Sequence, residues 1–137
     1  TQYAYSALDA VGLCQFDWGP AGWQLYGMDQ LVELVQAATG WDVSLFELMK
    51  VGERRLNLMR AFNAREGIGR DDDRMTKRLH AALKGGASDG LRVTEEELEA
   101  AKDLYYEMAG WDVGTGMPKR AKLEELDLGW VADQLDL

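Results

Sequence analysis

Apolar residues recur at steps of three and four along most of this chain, and the longest such stretch covers residues 50–67. The helix predicted there begins at Leu45, because Ser44 and Glu47 form a capping-box pattern, and it runs to about Glu66 before Gly67 stops it. The positions expected to form its buried face are Leu45, Leu48, Met49, Leu56, Met59 and Phe62, with Gly52 on the same stripe. A glycine inside a helix favours a second backbone crossing close by.

The other faces of this central helix carry charged and amide side chains, which are expected to lie in water. They are Glu53, Arg54, Arg55, Asn57, Arg60, Asn63, Arg65 and Glu66. Two interpretations of three of the arginines stay open. Arg54, Arg60 and Arg65 either neutralise a cofactor phosphate or form helix ion pairs with Glu53 and Glu66, and the ion pairs are favoured.

Shorter periodic stretches predict the remaining helices. They cover residues 1–11, 28–38, 95–108 and 119–128, with a further helix that runs to about Leu83 after a cap at Asp72 or Asp73. Gly12, Gly40 and Gly110 each stand where a helix should end. No stretch alternates apolar and polar residues with period two. The pattern therefore predicts an all-α fold, an irregular domain of about five to six helices without a sheet.

A loop at residues 17–22 lies among four aromatic side chains, Phe16, Trp18, Trp23 and Tyr26. Rings of this size are more stable buried in a core or against a partner than in water. Packing in a core or at a domain interface is the favoured interpretation of Phe16, Trp18 and Trp23, and the lining of a substrate channel is the alternative.

Composition limits the classes of partner. A chain of 137 residues is long enough for a single domain, taken as residues 1–137, and its net charge of −9 argues against nucleic acid and anionic membranes as partners. No apolar run approaches the ~20 residues that span a bilayer. A cytoplasmic location is the default, and one cysteine fits a reducing compartment. The chain opens on Thr1 without an initiator methionine, so a piece of a larger protein is expected.

Few residues are candidates for chemistry. His80 is the sole histidine and is interpreted as a surface residue. The acidic run at residues 71–73 lacks the alternation of a calcium loop, so helix caps and surface charge are favoured over a cation site. A lone cysteine such as Cys14 is most often a small buried hydrophobe. No catalytic residue is assigned.

The setting of Cys14 changes that interpretation. The sequence Asp9-x-x-Gly12-Leu13-Cys14 resembles a pterin- and cluster-binding motif of the aldehyde ferredoxin oxidoreductases, tungsten or molybdenum enzymes that oxidise aldehydes to carboxylic acids. Further short sequence motifs, in the same order along the chain, resemble the C-terminal region of that family. They are Gly-Glu-Arg, Arg-Ala-Phe-Asn and Arg-Glu-Gly within residues 52–73, then Tyr105-Tyr106, Gly110-Trp111-Asp112, Gly116-Met117-Pro118 and Leu126-Asp127-Leu128.

The resemblance implies roles for four residues. Cys14 would be the last of four thiolate ligands of a [4Fe-4S] cluster. Asp9 would accept hydrogen bonds from the polar edge of a pterin, and Gly12 would let the backbone approach the ring system. Leu13 would offer backbone groups and an apolar contact. The cofactors of the full-length enzyme would be a tungsten (or molybdenum) bis-pterin and this cluster, and none is expected in the isolated chain.

The chain also departs from the family pattern, because the three other cluster cysteines have no counterpart in it. The isolated chain is therefore predicted to be inactive. Its partners would be the remainder of the parent enzyme, ferredoxin as electron acceptor and an aldehyde substrate, with a homo-oligomer as one alternative. The rival hypothesis is a non-catalytic, acidic, helical protein-interaction module in which Cys14 is an inert core residue.

Overall fold

A computed structural model of the chain describes residues 1–20 and 25–137. Within those ranges the structure contains six α-helices and no strand, so the all-α prediction is confirmed. The helices are α1 (Gln2–Val11), α2 (Met28–Thr39), α3 (Leu45–Arg65), α4 (Glu95–Ala109), α5 (Arg120–Glu125) and α6 (Gly129–Gln134).

Helix α3 begins and ends where the sequence predicts. The Ser44 hydroxyl accepts a hydrogen bond from the Glu47 amide at 3.3 Å, and a Glu47 carboxylate oxygen accepts one from the Ser44 amide at 2.7 Å. These reciprocal bonds satisfy two amides that no helical carbonyl reaches. Gly67 has a φ of +82°, a conformation that favours glycine and ends the helix.

The predicted backbone crossing at Gly52 is confirmed, and helix α1 supplies it. A Cβ atom at Gly52 would lie 2.0 Å from the Tyr3 carbonyl oxygen and 2.9 Å from the Ala7 amide nitrogen. Ala4 and Ala7 are buried on the facing side of α1. Small residues on both helices therefore let the two backbones touch.

The predicted buried face of α3 is only partly correct. Leu48 and Gly52 are buried as predicted, but Leu45, Met59 and Phe62 are exposed. Four residues outside the predicted face are buried instead: Glu53, Asn57, Arg60 and Ala61. The reason is that the helix packs on α1 through small residues and on the C-terminal part of the chain through paired polar groups. The burial of those polar groups is compatible with folding because each is paired. Apolar periodicity alone could not reveal such a face.

The helix predicted to follow Asp72 or Asp73 is also wrong. Residues 74–76 and 81–83 are not helical, and a 3₁₀ turn covers Lys77–His80. Asp72 accepts a hydrogen bond from the Gly69 amide, and Asp73 pairs with Arg60, so neither carboxylate caps a following helix. Leu79 and Leu83 are each 56% exposed, and a short helix without a buried face is marginal.

The end of the chain forms two short helices instead of the single one predicted over residues 119–128. Asp127 has a φ of +58°, which ends the α5 turn, and the Leu128 amide then donates to the Leu123 carbonyl. Helix α6, which was not predicted, adds Val131 and Ala132 to a core cluster with Leu123, Leu126, Leu128 and Ala61. The burial of these residues fixes the two helices despite their length.

The aromatic prediction is only partly correct. Phe16 is 78% exposed, while Trp18 is half-buried and stacks on Tyr26 with ring centroids 4.6 Å apart. Phe16 therefore does not pack in a core cluster of the described residues, and its packing at a domain interface stays a prediction. Trp23 lies outside the described residues. Across the described ranges, no helix is long and apolar enough to cross a membrane.

Candidate cofactor-binding site

The motif at residues 9–14 is built on the C-terminal end of α1. Gly12 has a φ of +79°, its amide donates to the Asp9 carbonyl, and the Leu13 amide donates to the Leu8 carbonyl at 3.0 Å. This pair of bonds is the Schellman arrangement, which requires a left-handed residue such as glycine. The helix end therefore brings Asp9, in its last turn, and Cys14, just beyond it, into one compact unit.

Cys14 is exposed and its thiol is free. Its carbonyl oxygen accepts hydrogen bonds from the amides of Asp17 and Trp18, at 3.2 and 3.0 Å. The backbone of Cys14 is thus fixed by the following turn, while the residue itself remains accessible. The interpretation of Cys14 as a small buried hydrophobe is therefore wrong.

Leu13 anchors the motif to the core. Its partly buried side chain packs against the cluster formed by Leu8, Leu31, Val35, Val43 and Leu48. Because its amide is bonded to the Leu8 carbonyl, that N–H is not free for a ligand. The anchoring fixes the position of the neighbouring residues Gly12 and Cys14 relative to α2 and α3.

Asp9 is held by two side chains for which the sequence predicts no such role. The Gln15 amide nitrogen donates to Asp9 Oδ1 at 2.7 Å, and Arg55 Nη1 of helix α3 lies 3.2 Å from Asp9 Oδ2. Arg55 Nη1 also donates to the Ser6 hydroxyl at 3.4 Å. The signal available in the sequence was the spacing: Arg55 follows Gly52 by three residues and so lies one turn beyond the crossing with α1.

The 9–14 motif offers a free face to a ligand. A Cβ atom at Gly12 would meet no heavy atom within 4 Å, and the Asp9 side chain is 39% exposed. An accessible thiol, an accessible carboxylate and an unobstructed glycine fit one edge of a pterin beside a cluster ligand. In the described ranges, this motif included, no group of three or more His, Cys, Asp or Glu side chains could hold a metal ion.

A second polar assembly, the α3 polar cluster, is built around the C-terminal half of α3. It consists of Asn57 and Arg60 from that helix together with Asp73, Tyr106 and Trp111 from later segments. Arg60 Nη2 lies 2.7 Å from Asp73 Oδ2, and its Nε donates to the Gly116 carbonyl at 2.7 Å. The guanidinium carbon stands 5.0 Å from the Trp111 ring centre. Trp111 in turn donates its indole N–H to the Asn57 amide oxygen at 2.8 Å.

Two pKa values follow from these contacts. Burial and the hydrogen bond to Asp73 raise the pKa of Tyr106 to about 12. Burial opposes ionisation of Asp73, but hydrogen bonds from Arg60 and Tyr106 outweigh it and lower the pKa of that carboxyl. A cavity of about 450 Å³ lies over this cluster, and none of the residues of the 9–14 motif lines it.

The arginines of α3 have protein partners. Arg65 pairs with Glu66 at 2.9 Å, as predicted, whereas Arg54 donates to the Leu126 carbonyl at 2.6 Å and Arg60 belongs to the α3 polar cluster. The predicted pairing of Arg54 or Arg60 with Glu53 is therefore wrong. Glu53 is instead buried between two lysines, Lys50 at 2.8 Å and Lys122 at 2.9 Å.

His80 and the acidic run at residues 71–73 take structural positions. His80 is half-buried, and its Nδ1 lies 2.7 Å from the Val93 carbonyl oxygen, so it is not a simple surface residue. Asp72 caps the turn at Gly69, and Asp73 joins the α3 polar cluster, as described above. The interpretation of this run as caps and surface charge is thus correct for Asp72 but incomplete for Asp73.

Comparison with known proteins assigns the chain to a family. The family model described as "Aldehyde ferredoxin oxidoreductase, domains 2 & 3" matches residues 1–128. The chain therefore belongs to the aldehyde ferredoxin oxidoreductase family, and the resemblance noted from its sequence is confirmed.

Individual relatives agree with that assignment. The chain is 34% identical over 124 residues to the tungsten-containing aldehyde ferredoxin oxidoreductase of Pyrococcus furiosus, a match that covers 88% of the chain and 19% of the relative. The enzyme of the same description from Thermococcus kodakarensis gives the same identity and the same coverage of both sequences. An aliphatic sulfonate oxidoreductase, WOR-like subunit, of Pyrococcus furiosus is 28% identical over 127 residues, in a match that covers 88% of the chain and 19% of that subunit.

A solved structure supports the fold. The active site complex BamBC of benzoyl coenzyme A reductase, determined with 1,5-dienoyl-CoA, contains a chain that superposes with a TM-score of 0.73 at 26% identity. The superposition covers 97% of the present chain and 19% of that one. The present chain thus spans about a fifth of the length of the relatives that it matches.

Proposed function

We propose that residues 1–137 form one helical domain, the C-terminal part of a larger enzyme, and that this parent enzyme oxidises aldehydes to carboxylic acids. The observation that carries the proposal is the accessible thiol of Cys14 beside a helix end whose Gly12 has an open face. Identity favours aldehyde as the substrate class, since it reaches 34% with aldehyde ferredoxin oxidoreductases and 28% with the sulfonate relative.

In this proposal Cys14 supplies one thiolate to a [4Fe-4S] cluster. Iron–sulfur clusters of this type take four thiolate ligands, so the remainder of the parent enzyme provides the other three. The turn at residues 14–18 holds the Cys14 backbone in place. A ligand held in this way loses little conformational freedom on binding.

Asp9, Gly12 and Leu13 form one side of the pterin pocket in the same proposal. The Asp9 carboxylate accepts hydrogen bonds from the amino and ring N–H groups of the pterin, which present a fork that a carboxylate matches. Gly12 lets the ring system approach the backbone, because no Cβ stands in the way. Leu13 keeps the helix end seated on the core and shields this side of the pocket from water.

The metal–pterin group, with tungsten or molybdenum, supplies the oxidation itself: an aldehyde and water become a carboxylic acid, two protons and two electrons. Ferredoxin is the electron acceptor that we propose. The residues of this chain orient the cofactors and exclude water. We place the parent enzyme in the cytoplasm, where its free thiol stays reduced, and a homo-oligomer is an open alternative.

The test uses the full-length parent enzyme, produced and purified without oxygen. We expect it to oxidise aldehydes while reducing ferredoxin, and to contain tungsten or molybdenum and cluster iron. Cys14→Ala should lose cluster iron and ferredoxin reduction, whereas the control Ser88→Ala, at an exposed turn far along the chain, should keep both. A Cys14→Ala enzyme with the iron content and activity of the wild type would reject Cys14 as a cluster ligand. A wild-type full-length protein without cluster iron and without aldehyde oxidation would instead favour a non-catalytic interaction module.

A further inference from the structure

Arg55 is the residue outside the 9–14 motif that is best placed to act on it. The contact at Gly52 brings the backbones of α1 and α3 together, since a Cβ there would meet the Tyr3 carbonyl at 2.0 Å. One turn further along α3, Arg55 reaches the next turns of α1, where Ser6 and Asp9 lie on the facing side. The position of Arg55 relative to Asp9 is therefore set by the close approach of the two backbones at Gly52.

The contacts of Asp9 leave part of its carboxylate free. Arg55 Nη1 lies 3.2 Å from Oδ2, and the Gln15 side-chain amide donates to Oδ1 at 2.7 Å. An ionised carboxylate has about four lone-pair positions, so roughly two remain for a ligand. One partner on each oxygen fixes the plane of the carboxylate, which a single partner would leave free to rotate.

We propose that Arg55 is a positioning residue for the pterin: it holds Asp9 so that the free lone pairs of the carboxylate face the pterin edge. The inference rests on the proposed function, because it requires Asp9 to bind the pterin. Gln15 assists from the other side, and it follows Cys14 directly in the chain, so the Asp9 carboxylate and the cluster ligand are connected through one turn.

A purely structural role explains these contacts less well. The side chains of Arg55 and Asp9 are 35% and 39% exposed, and ion pairs at that exposure contribute little to folding. The helices are already joined by the Gly52 contact and by the buried Leu8 and Leu48. Loss of Arg55 should therefore leave the fold intact and change only how well Asp9 is held.

The test compares variants of the full-length enzyme. Arg55→Met should bind the pterin about tenfold more weakly, in line with the loss seen when groups that orient a ligand are removed. The measurement is the rate at which pterin and metal are released from the purified enzyme during dialysis. The melting temperature of the cofactor-free protein should not change. Arg55→Lys, which keeps the charge, should restore part of the retention, and the control Arg65→Met, at the exposed end of α3, should release cofactor at the wild-type rate.

Asp9→Asn separates this inference from the proposed function. If Asp9→Asn releases pterin quickly and Arg55→Met does not, Asp9 binds the pterin without help from Arg55 and the inference is overturned. If neither variant releases pterin faster than the wild type, the pterin role of Asp9 itself fails. If Asp9→Asn with Arg55→Met releases pterin no faster than Asp9→Asn alone, the two residues act as one unit, as the inference requires.

Discussion

The two halves of helix α3 pack in different ways. The first half meets α1 at Gly52, where small residues let two backbones touch. The second half is held by the α3 polar cluster, in which buried side chains such as Arg60 and Asn57 bond to groups far along the chain. The first contact fixes a distance between two helices, and the second joins α3 to Asp73, to the end of α4 at Tyr106 and to the turn that follows it.

This difference assigns separate tasks to the two halves. A backbone contact tolerates no added atom, so it can position the 9–14 motif against α3 with little variation. The polar cluster can hold irregular segments, because each hydrogen bond has a direction and satisfies a buried group. We therefore expect changes in the first half to affect the candidate site, and changes in the second half to affect stability alone.

The largest effect is expected for Gly52→Ala. The added Cβ would lie 2.0 Å from the Tyr3 carbonyl oxygen, so α1 and α3 must separate. Overpacking of this kind costs about 3 kcal/mol or more of unfolding free energy. Urea unfolding followed by circular dichroism measures it. The control Gly129→Ala adds a Cβ with its nearest contact at 3.7 Å and should be neutral, and equal effects of the two variants would refute the close crossing.

Arg60→Met should come next, with a loss of about 2 to 3 kcal/mol. It removes the partner of Asp73 and the donor to the Gly116 carbonyl, and breaking a largely buried pair leaves a charge without compensation. The same urea titration gives the value. Arg65→Met, which removes an exposed arginine from the same helix, should change stability by less than about 0.5 kcal/mol. If Arg60→Met also loses less than about 0.5 kcal/mol of unfolding free energy, the cluster does not stabilise the fold.

Trp111→Phe should cost less, about 1 to 2 kcal/mol. The fully buried Asn57 would lose the indole N–H that bonds its amide oxygen, and a buried acceptor without a donor is costly. Thermal unfolding compares it with Trp130→Phe, which alters a ring that is 56% exposed and should have almost no effect. If both variants have the melting temperature of the wild type, the Trp111–Asn57 hydrogen bond contributes nothing to stability.

The smallest effect is the loss of stability in acid. Hydrogen bonds from Lys122 and Lys50 lower the pKa of Glu125 from its ordinary 4.5 to about 2, and the pKa of Glu53 is lowered by the same lysines although burial opposes it. A carboxyl with a lowered pKa stabilises the fold above its ordinary value, and that stability is lost as the pH falls through the folded value. The melting temperature should therefore fall from about pH 4.5 towards pH 2.

A variant tests that assignment. Glu125→Gln should flatten this part of the pH profile, because the group that gains a proton is gone, while Glu107→Gln, at an exposed position on α4, should leave it unchanged. The effect is modest since Glu125 is 47% exposed and solvent screens the pairing. If the melting temperature of Glu125→Gln falls in acid as steeply as that of the wild type, groups other than Glu125 cause the loss of stability.

The sequence predicted those features that depend on local chemistry. The cap at Ser44 and the glycine ends at Gly12 and Gly110 each act within one helical turn, and all three are confirmed. The crossing at Gly52 was predicted because a glycine in a helix interior is costly unless something needs the space.

Features that depend on distant partners were not predicted. Arg60 and Asn57 look like solvent-facing residues until Gly116 and Trp111 are placed beside them. From the sequence Asp73 is a candidate helix cap, but in the structure its carboxylate pairs with Arg60. In the candidate site, the residues of the 9–14 motif were named from the sequence, but Arg55 and Gln15 emerged only from the folded arrangement.

The account depends most on the sulfur of Cys14 as an iron ligand, and electron paramagnetic resonance of the reduced full-length enzyme tests it most directly. Cys14→Ser replaces the sulfur with a harder oxygen donor, and the electronic structure of a cluster follows its ligands. We predict a cluster signal that is shifted or lost in Cys14→Ser and unchanged in Ser88→Ala. A Cys14→Ser spectrum identical to that of the wild type would contradict the account.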